Sequence, residues 1–413
     1  MNKRVVVTGI GVKTPVGNSV DEFSAALKSG RHGLTLEEWF PGQSEEKNVV
    51  GRVKNFDGEK YFDKKELRRT DLSAQYGTAA ALDAVADAGG LEAFRETDVY
   101  RCGVIVGSGV GGVRTIDEQM RNYHNKSNRK VSVFTVPMMI SNMAAGVIAI
   151  KTGFRGVNFC PVSACATSTH ALGEAFRNIK HGYSDVIIAG GAECSGIGYS
   201  FAGFNNAGTL TRSVDPDRAS IPFDKERSGF VLGEGAGILI LEEYEHAKRR
   251  GAKIYGEIAG YGATDDAYHE TSPLPDGSSS AMAMKLAVTE AGLNLTDINY
   301  INAHGTSTQM NDRIETAAVK QTFGGHANNI VINSTKSLTG HLIGATGAVE
   351  AAATLLQMKG GFVHGTAGYK VPDPECDLDY VTNGRRDFRI TAAISNSLGF
   401  GGHNGSICIV NID

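Results

Sequence analysis

Cys165 stands in Pro161-Val162-Ser163-Ala164-Cys165-Ala166-Thr167-Ser168-Thr169-His170, where an apolar, strand-like run gives way to the small residues of a helix start. A thiol at that junction meets unpaired backbone N–H groups and the positive end of the helix dipole, and both favour the nucleophilic thiolate. A buried structural cysteine would satisfy this segment on its own equally well. Two histidine motifs downstream tip the reading towards chemistry. His304 lies in Asn302-Ala303-His304-Gly305-Thr306-Ser307-Thr308, directly after the strand-like Ile298-Asn299-Tyr300-Ile301. His341 closes Ser334-Thr335-Lys336-Ser337-Leu338-Thr339-Gly340-His341, which follows Ile330-Val331-Ile332. Each histidine sits at a strand-to-helix junction among small residues, and such junctions are where α/β sheets gather their sites.

The elements that must position these residues alternate strand and helix. The spacing predicts a strand at 4–12, a helix near 20–29 and a strand at 100–107. A further strand is expected before Cys165, then a helix from Ala166 to about Lys180 and the strand Asp185-Val186-Ile187-Ile188-Ala189. A second series begins near Lys253-Ile254-Tyr255-Gly256-Glu257-Ile258. It runs through a helix around 279–291, strands at 298–301 and 330–332, and closing strands around 391–396 and 405–411. Its order repeats the first without clear residue identity, which is consistent with an internal duplication broken near 250, where the charged helix end Glu242 to Arg250 meets Gly251.

Hydrophobic residues at 41%, charged residues at 21% and a net charge of −4 describe a globular chain long enough for a large core, and the near-balanced charge argues against nucleic-acid binding. The 52 glycines interrupt apolar runs rather than forming tracts, so they indicate tight turns and close backbone approach. Six cysteines without disulfide or CxxC spacing suit a reducing compartment. Neither a signal-peptide core nor a membrane-spanning run is seen, and the expected location is the cytoplasm.

Together with Phe400 in Gly399-Phe400-Gly401-Gly402-His403-Asn404, the cysteine and histidine motifs resemble the elongating β-ketoacyl-acyl-carrier-protein synthases of fatty acid synthesis, in particular synthase II. The resemblance runs from Arg4-Val5-Val6-Val7-Thr8-Gly9-Ile10-Gly11 through Pro222-Phe223-Asp224 and Gly233-Glu234-Gly235-Ala236-Gly237 to Ser395-Asn396-Ser397-Leu398-Gly399-Phe400. It implies the thiolase fold: two βαβαβαββ halves, 1–250 with the cysteine and 251–413 with both histidines, packed as α-β-α-β-α layers. The implied reaction is a decarboxylative Claisen condensation of an acyl thioester with malonyl-acyl-carrier protein, in a cytoplasmic homodimer that needs no cofactor.

Under that resemblance Cys165 is the nucleophile, and its N–H with that of Phe400 forms an oxyanion hole. His304 and His341 stabilise the enolate left by decarboxylation. Lys336 supports them electrostatically rather than as the base, and Asp312 and Glu315 neutralise it. Thr306 and Thr308 bond the phosphopantetheine arm, Phe400 is a gate on a glycine-rich turn, and Val110 marks the end of the acyl pocket at the dimer interface. Asn302, Glu350, Ser395 and Asn396 align with a structural monovalent-cation site (potassium or sodium), although a hydrogen-bond network would suit the same residues. Lys64, Lys65, Arg68 and Arg69 are spaced to share one helix face and would dock the acidic carrier protein, with Arg129 and Lys130 as second candidates.

Other motifs carry less. Gly107-Ser108-Gly109-Val110-Gly111-Gly112 matches a dinucleotide fingerprint, but no acidic residue ends a following strand, so close backbone packing is the better reading. Asp265, Asp266, His269 and Glu270 read as a solvated loop rather than a metal site. Three departures from the resembled family stand out: Ser168 in a glycine position, Ile221 where Arg precedes Pro-Phe-Asp, and His364-Gly365-Thr366-Ala367-Gly368 in place of Pro-Pro-Thr-x-Asn. They leave a specialised polyketide or polyene synthase as the alternative. The presence of Cys165 argues against a non-catalytic chain-length-factor subunit. His341, and the lack of cysteine in 399–404, argue against the initiating synthase and thiolase.

Overall fold

The computed structural model describes residues 3–38 and 47–412. Ten strands form one continuous sheet: β1 (Val5–Lys13), β2 (Cys102–Gly107), β3 (Asn158–Phe159), β4 (Val186–Glu193), β5 (Gly235–Glu243), β6 (Gly256–Asp265), β7 (Tyr300–Asn302), β8 (Val331–Asn333), β9 (Ala392–Gly399) and β10 (His403–Val410). Across the sheet they run β8-β7-β9-β10-β6-β1-β5-β4-β2-β3. Cut between β6 and β1, each half reads third, second, fourth, fifth, first. The pairings match as well: second with third and fourth parallel, fourth with fifth and fifth with first antiparallel. The halves join where Val5, Val6 and Val7 pair antiparallel with Ile258, Glu257 and Gly256.

Every residue of β1, β4 and β5 is buried, which requires cover on both faces of the sheet. Eight helices matter here: α1 (Leu72–Asp87), α2 (Val113–Asn125), α3 (Met143–Thr152), α4 (Thr167–Lys180), α5 (Gly198–Asn206), α6 (Ser278–Glu290), α7 (Gln309–Phe323) and α8 (Thr346–Gly360). α4 touches β2 and β4 of the first half and β6 and β10 of the second, while α8 touches β4 and β5 and also β7 and β9. These two are the middle layer. α1 and α3 cover the outer face of the first half, and α6, with α7 packed on it, covers that of the second. The result is the duplicated α-β-α-β-α thiolase arrangement.

The duplication reaches individual residues. A Cβ on Gly11 of β1 would lie 1.9 Å from the Ala80 carbonyl oxygen of α1, and one on Gly262 of β6 would lie 1.9 Å from that of Ala283 in α6. At Gly9 and Gly260, two residues earlier, an added Cβ would lie 2.2 and 2.1 Å from the Ala84 and Ala287 carbonyl oxygens. Each outer helix therefore seats its backbone directly on a Gly-x-Gly pair in the first strand of its half.

Three expectations need correction. The strand before Cys165 is only Asn158–Phe159, so residues 160–163 approach the site outside the sheet. The stretch from Glu242 to Arg250 is not one helix: Glu242 and Glu243 end β5, a nine-residue strand whose glycine-rich start hid it, and the helix is Tyr244–Arg249. The basic stretch contains one helical turn, Lys64–Leu67, closed at its start by an Asp63–Glu66 capping box. Arg68 and Arg69 lie beyond that turn, so the four cations do not share a helix face, although all four side chains are exposed. Among the described residues no helix is long and apolar enough to cross a membrane.

Gly262→Ala forces a methyl into the α6 backbone and is expected to lower the thermal midpoint sharply, by the equivalent of about 3 kcal/mol or more. Gly203→Ala, inside α5 and with an added Cβ that meets nothing, is the control and should leave the midpoint in place or raise it slightly. Equal midpoints for the two variants would show that the outer layer is not seated as described.

Candidate active site

Cys165 lies in a single tight turn, Ala164–Ala166, directly before α4. Ala164 adopts φ 51°, a left-handed backbone that an L-residue holds only when its surroundings impose it. Those surroundings are specific: the Ser163 N–H donates to Thr167 Oγ1 at 2.8 Å, and Ser163 Oγ meets His170 Nδ1 at 2.8 Å. The turn thereby fixes the sulfur at the head of α4.

Burial dominates the electrostatics of the thiol and pushes its pKa up to about 11. The Lys336 charge and the backbone N–H groups of Phe400 and of Cys165 itself oppose that rise. The expectation of a resting thiolate is therefore corrected: desolvation of the anion outweighs the helix terminus. The two N–H groups that ease the thiolate are the pair expected to form the oxyanion hole, and both are aimed at the sulfur.

Cys165 Sγ, one ring nitrogen of His304 and one of His341 all lie within 4.8 Å of one another. The rings cross edge to face, with centroids 5.4 Å apart. His304 follows β7, and His341 comes just before the tight turn Ile343–Ala345 that leads into α8, the counterpart of the turn Ala164–Ala166 that holds Cys165. Lys336 is 1% exposed, and its ammonium points at three acceptors: the His304 carbonyl oxygen at 2.5 Å, Glu350 Oε1 at 2.7 Å and His304 Nδ1 at 3.3 Å. An ammonium can only donate, so Nδ1 of His304 carries the lone pair and its Nε2 carries the proton. His341 Nδ1 meets Thr346 Oγ1 at 2.9 Å, and its Nε2 is buried without a protein partner. Burial and the Lys336 charge hold both imidazoles well below the usual range, so both are neutral at neutral pH.

The acids are distributed differently from expectation. Asp312 does not neutralise Lys336: it lies 3.5 Å from Arg227 and accepts from the N–H groups of Phe223 and Ser307. Glu315 accepts from the His304 and Gly305 N–H groups, both at 2.8 Å, and so holds the His304 loop. The carboxylate bonded to Lys336 is Glu350 of α8, whose own pKa burial pushes up to about 7 against the pull of Lys336. Thr306 and Thr308 meet hydroxyl to hydroxyl at 2.9 Å beside the site, with Thr308 capping α7.

Among the described residues three buried side-chain oxygens find no hydrogen-bond partner: Asn302 Oδ1, Ser395 Oγ and Glu350 Oε2. Asn302 and Ser395 are register partners on β7 and β9, and α8, which carries Glu350, packs on both strands. This donor set fits a monovalent cation. The Asn396 side chain does not belong to it, since its Oδ1 accepts from Ser406 and its Nδ2 donates to Glu315.

Phe400, Gly401 and Gly402 form the turn between β9 and β10. Both glycines have φ above 80°, and a Cβ on Gly399 would sit 3.2 Å from the Cys165 nitrogen, so the turn lies directly on the nucleophile. The Asp265 to Glu270 loop supports it: the Gly401 N–H donates to the Glu270 carbonyl, and Asp266 accepts from Asn404. The 107–112 glycines are packing residues, as read from the sequence; a Cβ on Gly112 would lie 2.0 Å from the Met138 carbonyl oxygen. Val110 is half-exposed. Arg129 and Lys130 lie on the surface in a short turn, Asn128–Lys130.

Two residues were missed. Glu193, at the buried end of β4, accepts from the N–H groups of Gly109 and Gly344, tying the Val110 loop to the turn after His341. An acid closing an apolar strand was the available signal. Thr346, which orients His341, stands five residues after it. The departures are absorbed locally: Ser168 Oγ accepts from the Ala348 N–H at the start of α8, and Gly368 makes room for Ile221 while Arg218 bonds its carbonyl and Asp224.

A duplicated five-layer fold with a cysteine at one central helix start and a histidine just ahead of the other defines a thiolase-type condensing site. The family model described as β-ketoacyl synthase, N-terminal domain, matches residues 2–247, and that of the C-terminal domain matches 255–370. The chain belongs to the β-ketoacyl synthase family, whose members are acyltransferase-type condensing enzymes. It is 46% identical over 403 residues to 3-oxoacyl-[acyl-carrier-protein] synthase 2 of Synechocystis sp., covering 97% of this chain and 96% of that one. Against the synthase 2 of Staphylococcus aureus it is 45% identical, covering 98% and 97%. A solved β-ketoacyl synthase from Burkholderia phymatum superposes with a TM-score of 0.90 at 35% identity over the whole of both chains. A type II polyketide ketosynthase solved with its acyl-carrier protein superposes at 0.91 and 34% identity, again over both whole chains.

Alkylation of Cys165 by iodoacetamide is expected to accelerate steadily from about pH 7 to about pH 9, since the thiolate fraction grows roughly tenfold per pH unit below the pKa. Lys336→Met removes a charge that lowers that pKa and should slow alkylation throughout. A plateau near neutral pH would mean that the thiolate already rests there.

Proposed function

We propose that this protein elongates acyl chains by decarboxylative condensation with malonyl-acyl-carrier protein in fatty acid synthesis. The observation that carries the reading is the convergence of the Cys165 sulfur with two neutral imidazoles, one locked by Lys336. The polyketide alternative has no feature of the site in its favour, and the relatives at 45–46% identity are named as synthase 2.

In the first half-reaction Cys165 attacks the acyl thioester carbonyl. Thr346 can donate or accept, so His341 is free to take the thiol proton at Nε2 and return it to the departing carrier thiol. The oxyanion is held by the N–H groups of Cys165 and Phe400, each worth about 3 kcal/mol in such sites. In the second, the malonyl C–C bond breaks, carbon dioxide leaves, and the enolate oxygen accepts from His304 Nε2–H and from His341 in its other tautomer. The enolate carbon then attacks the acyl carbonyl, the C–S bond to Cys165 breaks, and the released thiolate takes up the one proton that the overall reaction consumes from water, restoring the thiol. Thr306 and Thr308 hold the phosphopantetheine arm, and Phe400 opens and closes the entry between the steps.

Lys64, Lys65, Arg68 and Arg69, exposed and without an ion pair among the described residues, support docking of an acidic carrier protein, with Arg129 and Lys130 as an adjoining patch. A homodimer accounts for β3 as an open sheet edge beside exposed Val110, Met120, Phe134, Val136 and Phe159. Val110 then closes the acyl pocket at that interface. No organic cofactor enters the reaction. Asn302, Glu350 and Ser395 would hold a potassium or sodium ion, which supplies structural charge behind Lys336. The cytoplasm is the compartment that suits a working thiol.

Cys165→Ala is expected to abolish the acyl-enzyme adduct, read by mass of the intact protein. His304→Ala should keep measurable acylation of Cys165 while losing most malonyl decarboxylation, at least about a hundredfold. Equal loss of both half-reactions would make His304 a cysteine-activating group and contradict its role at the enolate. Neutralising Lys64, Lys65, Arg68 and Arg69 together should weaken carrier-protein binding and flatten its dependence on salt. Unchanged binding would return that stretch to plain surface.

A further inference from the structure

His364 is fully buried, with its backbone N–H on Gln357 Oε1 at 2.8 Å and its carbonyl accepting from Asn333 Nδ2 at 2.7 Å. Its ring is equally constrained. Nδ1 lies 2.9 Å from the Gly365 carbonyl oxygen, which can only accept, so the ring proton is on Nδ1 and the lone pair is on Nε2. Burial supports a neutral ring by lowering its pKa to about 4. Nε2 faces Thr335 Oγ1 at 3.3 Å, so that hydroxyl donates to the ring. Thr335 Oγ1 is then left to accept, and Asn302 Nδ2 donates to it at 2.8 Å. The chain of donors runs in one direction, from Asn302 through Thr335 to His364. It fixes the Asn302 amide with its NH2 on Thr335 and its Oδ1 turned away, where no group among the described residues hydrogen-bonds to it.

We propose that His364 is the positioning residue that, through Thr335, keeps the Asn302 oxygen facing the unpartnered oxygens of Ser395 and Glu350, so that a monovalent cation meets an acceptor there rather than an amide NH2. The inference rests on the cation reading given above. Without an acceptor at position 364, the Thr335 hydroxyl has a ready alternative in Asn302 Oδ1. Taking it turns the amide over, removes one oxygen from the cluster and points two N–H groups at the position a cation would hold. The Pro-Pro of the resembled family offers no side-chain acceptor at this point, so the relay belongs to the histidine of this chain.

The test is thermal stability of the purified protein, titrated with potassium chloride against tetramethylammonium chloride at constant ionic strength. The wild type should show a potassium-specific rise in midpoint. His364→Leu should raise the half-saturating potassium concentration by at least about tenfold, as loss of an outer-shell partner does at metal sites. His364→Gln, whose Oε1 can accept the Thr335 proton, should stay near wild type. Thr335→Val breaks the relay from its other side, should match His364→Leu, and decides the matter if the leucine variant does not fold. A wild type indifferent to potassium overturns the cation reading and the proposal with it. If the wild type responds to potassium and both His364→Leu and Thr335→Val keep its half-saturating concentration, the proposal alone is overturned.

Discussion

The site depends on where one buried ammonium sends its three hydrogens. Lys336, 1% exposed, donates to the His304 carbonyl, to His304 Nδ1 and to Glu350. Each contact removes a freedom that the chemistry could not tolerate. The carbonyl contact anchors the loop after β7, the ring contact selects the tautomer of His304, and the carboxylate contact balances a charge that burial would otherwise make prohibitive. Burial, with the same charge added to it, holds both imidazoles neutral, and that charge eases ionisation of Cys165. Removing either partner of Lys336–Glu350 would leave an uncompensated buried charge, a loss of about 3–5 kcal/mol in comparable pairs.

The duplicated fold explains how such a cluster is brought together. Helices α4 and α8 lie side by side between the two halves of the sheet, and each begins at a tight turn of the site, so the pseudo-symmetry brings the Cys165 turn and the segment that carries His341 together. Function then arises from the asymmetry of equivalent places. After the second strand the first half carries the glycine turn with Val110, and the second carries His304. After the fourth strand the first half continues to Cys194, while the second turns at Phe400 onto the nucleophile. Glu193 and Ser168 tie these pieces across the halves through backbone N–H groups.

Much of this was legible in the chain because small-residue strand-to-helix junctions hold their side chains in nearly fixed places. Cys165, His304, His341 and the Phe400 turn are of that kind, and so is the helix 167–180, whose apolar spacing is regular. The partner of Lys336 was not legible. Asp312 and Glu315 stand nearer to His304 in sequence, but the packing of α8 over β7 and β9 brings Glu350 instead, and no local pattern encodes that packing. The thiol was misjudged for a related reason, since the helix terminus is local while the burial that outweighs it is tertiary. Strand β5 was hidden by its opening glycines, which serve close contacts such as Gly237 against Val349 of α8 rather than a turn.

The most direct test of the central claim is the protonation state of His304, read from its ring ¹⁵N chemical shifts in the intact enzyme, with His304→Gln for assignment. The interaction with Lys336 predicts a neutral ring with the proton on Nε2, unchanged from about pH 6 to about pH 8. In Lys336→Met the fixed preference for that tautomer should be lost. A proton on Nδ1, or an imidazolium in this range, would contradict the account.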